Sequence, residues 1–478
     1  MTDLLEAPRS ASAPAGASPS RPAVHPLALA MLVTGTCLIV LDFFIVNVAL
    51  PSMQSELHAS AAALEWVVAG YALTSAVLLL AAGRLGDRFG RRRMFSVGVA
   101  VFTAASALCG VAPDASVLVG ARLLQGVGGA MIQPSVLALI GVLYDGAARA
   151  RAIGVYATWM GVAAASGQLL GGILLHANIA GLGWRTVFLI NVPIGLFVLA
   201  AVRRLVPESR SAEAARIDIT GLVLATGALT ALVLPLVDGR SAGWPWWTWV
   251  SLAASPVLAA EFVLRQCAIS RRGGVPLLDP SLFAMRSFTA GTLTQLGFWA
   301  GQASYFLVLA LYLQLGRGMS ALDSGAVFTI LAASYLVASM RAPALVARWG
   351  RTVIVEGALA LAAGHVALLV VVAETGVHGN VLLLAPGLLL AGAGMGLCLA
   401  PITATVLGSV DPQQAGAVSG AMSTTQQVGN AVGVAIVGAA FFSAADFGYA
   451  HAFEVSLAVL AGLLVSVAAA ARRIPLRA

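Results

Sequence analysis

Gly83-Arg84-Leu85-Gly86-Asp87-Arg88-Phe89-Gly90-Arg91-Arg92-Arg93 lies between two apolar runs, 63–83 and 94–112. At about 1.5 Å per residue each run can cross a hydrocarbon core about 30 Å thick, so the string between them is a loop that turns the chain at a membrane surface. Its arginines fit a plain anchor on the positive side of a bilayer. The glycines and the lone Asp87 ask for more. A tight turn and an ion pair together make a latch between helix ends, with Gly83, Asp87, Arg88, Gly90 and Arg91 as its candidate parts.

Outward from this loop the same pattern repeats along nearly the whole chain. Apolar runs fall near 27–50, 63–83, 94–112, 115–142, 150–175 and 184–202, then 218–237 and 246–266, then 288–314, 321–346, 352–372, 380–407, 414–441 and 449–471. That reading predicts an all-α polytopic membrane protein of 14 spans. Of the 478 residues 59% are hydrophobic and 10% charged, with a mean hydropathy of +0.93, which excludes a soluble globular class. An even number of spans puts both termini on one side.

The net charge of +7 does not point to nucleic acid, because the basic residues punctuate loops instead of forming one patch. Loops and adjoining helix ends on one side hold Arg84, Arg88, Arg91, Arg92, Arg93, Arg149, Arg151, Arg203, Arg204, Arg210, Arg216, Arg265, Arg271, Arg272, Arg286, Arg341, Arg348 and Arg351, whereas the other keeps Arg185, Arg240 and Arg317. Both termini are therefore expected in the cytoplasm of a bacterial cell, with the protein in its inner membrane. All 27 Lys+Arg residues are arginine. Without lysine there is no G-x-x-x-x-G-K-[ST] phosphate loop, so ATP hydrolysis by this chain is not expected and no cofactor is called for. Cys37, Cys109, Cys267 and Cys398 show no metal-ligand spacing.

The division expected is a disordered cytoplasmic tail over 1–26, a six-helix bundle over 27–204, a linker with two inserted helices over 205–287, a second six-helix bundle over 288–471 and a short tail over 472–478. An internal echo supports duplicated halves. Asp87-Arg88-Phe89-Gly90-Arg91 recurs as Ala347-Arg348-Trp349-Gly350-Arg351, and Gly167-Gln168-Leu169-Leu170-Gly171 as Gly429-Asn430-Ala431-Val432-Gly433.

The 83–93 string closely resembles the loop 2–3 signature of the major facilitator superfamily. Leu41-Asp42-Phe43-Phe44-Ile45-Val46-Asn47-Val48-Ala49-Leu50-Pro51 resembles the first-helix motif L-D-x-T-I-V-N-V-A-L-P of its fourteen-helix drug/proton antiporter group (EmrB/QacA-like). Arg122, Gln125, Gly126 and Gly128 fit the fourth-helix motif. Trp184-Arg185 with Phe188, Asn191, Pro193 and Gly195 fits the sixth. The resemblance implies two six-helix bundles plus two inserted helices, and proton-coupled efflux of drugs or antibiotics, self-resistance included. Its partners would be protons, the lipid bilayer and a small amphipathic substrate, with the monomer as working unit. In the fifth-helix antiporter motif Gly154, Gly167, Gly171 and Gly172 fit, but Ala163 and Gln168 replace a glycine and a proline. A missing proline predicts a straighter helix and leaves a facilitator that imports or uniports a solute as the alternative. Phe44 stands where the group has threonine, a place to tune substrate choice.

An ionisable group inside a span is costly and so marks function or a structural ion pair. Asp42 and Arg122 lie at nearly the same depth in spans one and four, and can meet there. The functional reading, which the resemblance shares, makes them the proton-coupling pair. Candidate cavity residues are Tyr71, Gln125, Trp159, Trp299, Gln302, Tyr305, Tyr335 and Asn430, together with Gln168, although aromatic residues also serve packing and membrane interfaces. A membrane-embedded enzyme would need a nucleophile, a base and an orienting group close together, and no loop offers them.

Overall fold

The computed structural model describes residues 27–210, 218–407 and 415–474. The tail 1–26, Arg216 and the last four residues of the C-terminal tail lie outside the described residues. The spans in chain order are α1 Leu27–Leu57, α2 Ala61–Phe89, α3 Arg91–Gly110, α4 Ala115–Leu143, α5 Gly146–Ala177, α6 Gly183–Leu205, α7 Ile219–Asp238, α8 Trp246–Arg271, α9 Arg286–Gly316, α10 Ala321–Trp349, α11 Thr352–Thr375, α12 Val381–Val406, α13 Ala415–Ala444 and α14 Tyr449–Ala471. Of these, 13 are long and apolar enough to cross a membrane outright, and the bent α5 brings the number to 14. The chain is a multi-pass membrane protein, and every regular element among the described residues is helical. Helices suit this solvent because each satisfies its own backbone polar groups, leaving only the ends to be capped. Ser60 accepts from the amide of Ala63, Asp114 from Val117 and Ser320 from Asp323.

Helix α4 packs against α2 and α3, and α6 against α1 and α3. A second group joins α9 to α13 and α14, α10 to α12, and α11 to α12 and α14. The groups meet along two main seams, α2 on α13 and α5 on α10. The hairpin α7–α8 lies outside, with α7 against both α2 and α13. On α8 the apolar Trp246, Val250, Val257, Val263 and Leu264 are exposed, as lipid contact requires.

The sequence echo has a geometric meaning. A Cβ at Gly167 would lie 2.7 Å from Cβ of Phe44, and one at Gly171 2.9 Å from Ile45, so these glycines seat α5 on α1. A Cβ at Gly429 would lie 2.7 Å from the carbonyl oxygen of Leu296, and one at Gly433 would clash with the backbone of Ala300, so their counterparts seat α13 on α9.

The straight α5 expected from Gln168 is not found. The helix bends by 43° between Arg151–Ala164 and Ser166–Ala177. Ser166 supplies a cause other than proline: its hydroxyl donates to the carbonyl oxygen of Val162 at 2.8 Å and competes with the helix ladder.

The two ends of the molecule differ. At the end away from the arginine-rich loops every residue of α9 from Gly301 to Leu313 is buried, and Gln314 donates to the carbonyl oxygen of Val48 at 2.9 Å, tying α9 to α1. Towards the arginine-rich end Ile153, Val155 and Trp159 on α5 and Leu336, Val337 and Met340 on α10 are exposed. There Asp218 caps α7, accepting from Gly221 at 3.0 Å, from Arg265 at 2.7 Å and from Gln266 at 3.0 Å. Burial opposes its charge, but those three donors outweigh burial and hold the carboxyl below its ordinary range. Arg265 is thus engaged by Asp218.

Candidate functional site

Asp42 is fully buried on α1, where apolar neighbours would make a bare carboxylate prohibitively costly. Its environment is polar instead. Oδ2 accepts from Arg122 of α4 at 2.6 Å, and Oδ1 accepts from Gln125 of α4 at 2.8 Å and from Asn191 of α6 at 2.9 Å. Ser106 of α3 lies within hydrogen-bonding distance of both amides, 2.7 Å from Nε2 of Gln125 and 3.3 Å from Nδ2 of Asn191. Arg122 also donates to Gln125 Oε1 at 2.6 Å and to the carbonyl oxygen of Val67 on α2 at 2.8 Å. Its guanidinium carbon lies 4.5 Å from the centre of the Tyr71 ring, in cation–π range. Five helices thus converge on one carboxylate, and every member is buried.

The depth argument from sequence finds the pair and misplaces two of its neighbours. Tyr71 and Gln125 serve the charge network rather than a cavity, and Asn191, a donor to Asp42, and Ser106, an acceptor from both amides, escape notice. Asn191 had a signal, since it is a polar residue in an apolar span; Ser106 had none.

Between the two helix groups lies a pocket of about 20 Å³. Gln168 and Tyr335 line it, with Phe44, Phe306, Phe328 and Met395. Phe44, at the threonine position, packs edge-on to Phe306 at 5.0 Å, and Phe306 stacks on Phe328 at 5.6 Å. These rings are the plug. Gln168 is buried with neither end of its amide partnered among the described residues, and the same holds for Gln302 on α9. The remaining expected cavity residues lie elsewhere. Trp159 is 52% exposed on the α5 surface. Trp299 packs on Phe298 at 5.7 Å, Tyr305 on His365 at 4.5 Å, and Asn430 donates to Gln427 at 2.8 Å. Gln168 and Asn430, at echoing positions of the two halves, therefore do not share this space. Gly172 abuts the start of α10, 2.7 Å from the Ala321 oxygen for an added Cβ, whereas Gly154 faces open space.

The 83–93 string is not the loop expected from sequence, since α2 runs to Phe89 and α3 starts at Arg91, and within it Asp87 accepts from Arg91 at 2.9 Å, across the Gly90 turn instead of across the molecule. Arg88 sits 5.4 Å from the Phe89 ring, Gly90 turns the chain at φ 109°, and Gly83 faces open space. The partners that sequence reading missed are Glu208 and Ser209, beyond α6. Glu208 accepts from the amide of Arg92 at 3.0 Å, and the Ser209 oxygen accepts from the amide of Arg91 at 2.8 Å. Arg84 reaches across to the carbonyl oxygens of Val275 and Pro276 beyond α8.

A buried acid held by an arginine where helices converge, beneath a central space between two helix groups, is the architecture of a membrane transporter. The family profile of the Major Facilitator Superfamily matches residues 32–434, and the chain belongs to that family. It is 37% identical over 416 residues to a probable actinorhodin transporter of Streptomyces coelicolor, covering 87% of this chain and 72% of that protein. To a puromycin resistance protein of Streptomyces alboniger it is 35% identical over 460 residues, covering 92% and 89%. Among solved structures, a peptide transporter of the POT family in complex with sulfate superposes with a TM-score of 0.67 at 15% identity, over 94% of this chain and 96% of that one. At that identity the likeness concerns the fold alone.

Proposed function

We propose that the chain exports small amphipathic organic molecules, antibiotics among them, across the bacterial inner membrane in exchange for protons, working as a monomer and making or breaking no covalent bond. The halves 27–204 and 288–471 rock about the central space, with both termini and the arginine-rich loops in the cytoplasm. The end sealed by α9 and α1 is then the outer one, and this arrangement faces inward. The relatives' names support export of antibiotics.

The observation that carries proton coupling is the set of donors around Asp42. As a carboxylate it accepts from Arg122, Gln125 and Asn191. A proton turns one of those acceptors into a donor. On Oδ2 it confronts Arg122, and on Oδ1 it confronts two amide NH2 groups, so in either case a bond between α1 and α4 or α6 is released. Arg122 stays held by Val67, Gln125 and the Tyr71 ring. One proton thereby repacks α1 against its neighbours, which is the local change a two-state transporter needs. The bend already present in α5 supports exchange over the facilitator alternative, because Gln168 leaves the helix its hinge.

Expression in a drug-sensitive host, with growth and drug accumulation measured over a panel of amphipathic antibiotics, tests the reading. Lower accumulation of at least one compound is expected. Unchanged accumulation of all of them in cells with the protein in their membranes would refute export of this class.

A further inference from the structure

Glu65 takes no part in the network around Asp42. It stands near the outer start of α2, 3% exposed, and accepts no hydrogen bond from any described residue. A Cβ at Gly438 of α13 would lie 2.8 Å from its carboxyl carbon, so the acid rests on the α13 backbone where only glycine leaves room. Glu65 itself lines a cavity of about 220 Å³, together with Leu236, Arg240, Ser241 and Phe442.

The charged groups around Glu65 are already engaged. Asp238 at the end of α7 accepts from the Trp66 indole at 3.0 Å, and Arg240 pairs with Asp446 beyond α13 at 3.0 Å. On α4 Arg122 is taken by Asp42, and Glu56 at the end of α1 by Arg185. Helix α13 itself has no titratable side chain.

We propose that Glu65 is a second proton-binding site, filled from the outer solution, whose protonated form holds the outer end of the α2–α13 seam closed. The proposal rests on the reading of the chain as an alternating-access transporter, but not on Asp42 being the coupling acid. A carboxylate without a partner at this seam is far costlier than the neutral acid. Parting of α2 from α13 at the outer end, which release of a substrate outward requires, lets water reach the group and favours its ionised form. Low external pH therefore favours the closed outer end and high external pH the open one. With the outer end shut, the proton on Glu65 is sealed from the cytoplasmic side and returns outward on reopening. It sets the balance between the two states without entering the transport stoichiometry.

Spin labels at His58 and Ser443, near the outer ends of α2 and α13, read the seam directly across a pH series in nanodiscs. The wild type is expected to widen there as pH rises, Glu65→Asp to keep the response, and Glu65→Gln to stay at the closed distance at every pH. Failure of the Asp42 reading would show up separately, as coupled transport surviving in Asp42→Asn. A wild type with no pH response at this seam, or a response persisting in Glu65→Gln, would overturn the proposal. So would a changed proton-to-substrate ratio in Glu65→Gln proteoliposomes.

Discussion

Asp42 is the residue on which the mechanism turns, and its neighbours define what each substitution should do. Asp42→Asn keeps the shape and two of the acceptor positions on one oxygen, but sets an NH2 group where an oxygen faced a donor and removes the exchangeable proton. Coupled transport should be lost. Because Arg122 is left buried without its counter-charge, stability should also fall by about 3–5 kcal/mol, the usual cost of removing one partner from a buried pair. Thermal unfolding in detergent beside transport in proteoliposomes separates the two effects; full coupled activity in Asp42→Asn would take Asp42 out of the mechanism. Phe44 makes a different forecast. Phe44→Thr removes one ring of the Phe44, Phe306 and Phe328 plug. The set of compounds that bind should broaden or shift towards larger ones, as a titration series would show. An unchanged profile would mean that the plug does not select. Residue identity and depth made Asp42 and Arg122 legible in the sequence. The plug was not, since it joins α1, α9 and α10, and no pattern within one helix records which rings meet.

Among the elements α5 is the most informative. A reading by motif sees the lost proline and expects a straighter helix, yet the bend survives through Ser166, whose bond to Val162 acts at the same place in the helix. The bend was illegible because it depends on a serine rotamer and on the close seating of Gly167 and Gly171 on α1. Ser166→Ala should slow transport while leaving substrate affinity nearly unchanged, since Ser166 lies outside the residues lining the central space. Stopped-flow transport and equilibrium binding on the same preparation decide this, and weakened binding with normal rates would point instead to a ligand contact. Gln168 is expected to behave in the opposite way. It lines that space with an unpartnered amide, so Gln168→Ala and Gln168→Pro should both weaken binding, by about 1–3 kcal/mol if a polar group of the substrate is left unpaired. Unchanged affinity in both variants would exclude a contact.

At the scale of the whole molecule the sequence already held the span count and the glycine echo, because hydrophobic length and close helix packing each follow from the bilayer as solvent. What it lacked was the state: which end is shut depends on contacts between distant helices, such as Gln314 with Val48 and α2 with α13. Gly433→Val should oppose the seating of α13 on α9, costing about 1–3 kcal/mol as overpacking does. A detergent melt close to that of the wild type would contradict that seating. The central claim is that protons drive export through Asp42, and inside-out vesicles test it most directly. With a compound identified by the accumulation assay outside and an acid interior imposed, uptake into wild-type vesicles should rise several-fold over vesicles without a pH gradient, collapse when a protonophore is added, and be absent in Asp42→Asn. Uptake equally fast without the gradient, or gradient-driven uptake preserved in Asp42→Asn, would contradict the account.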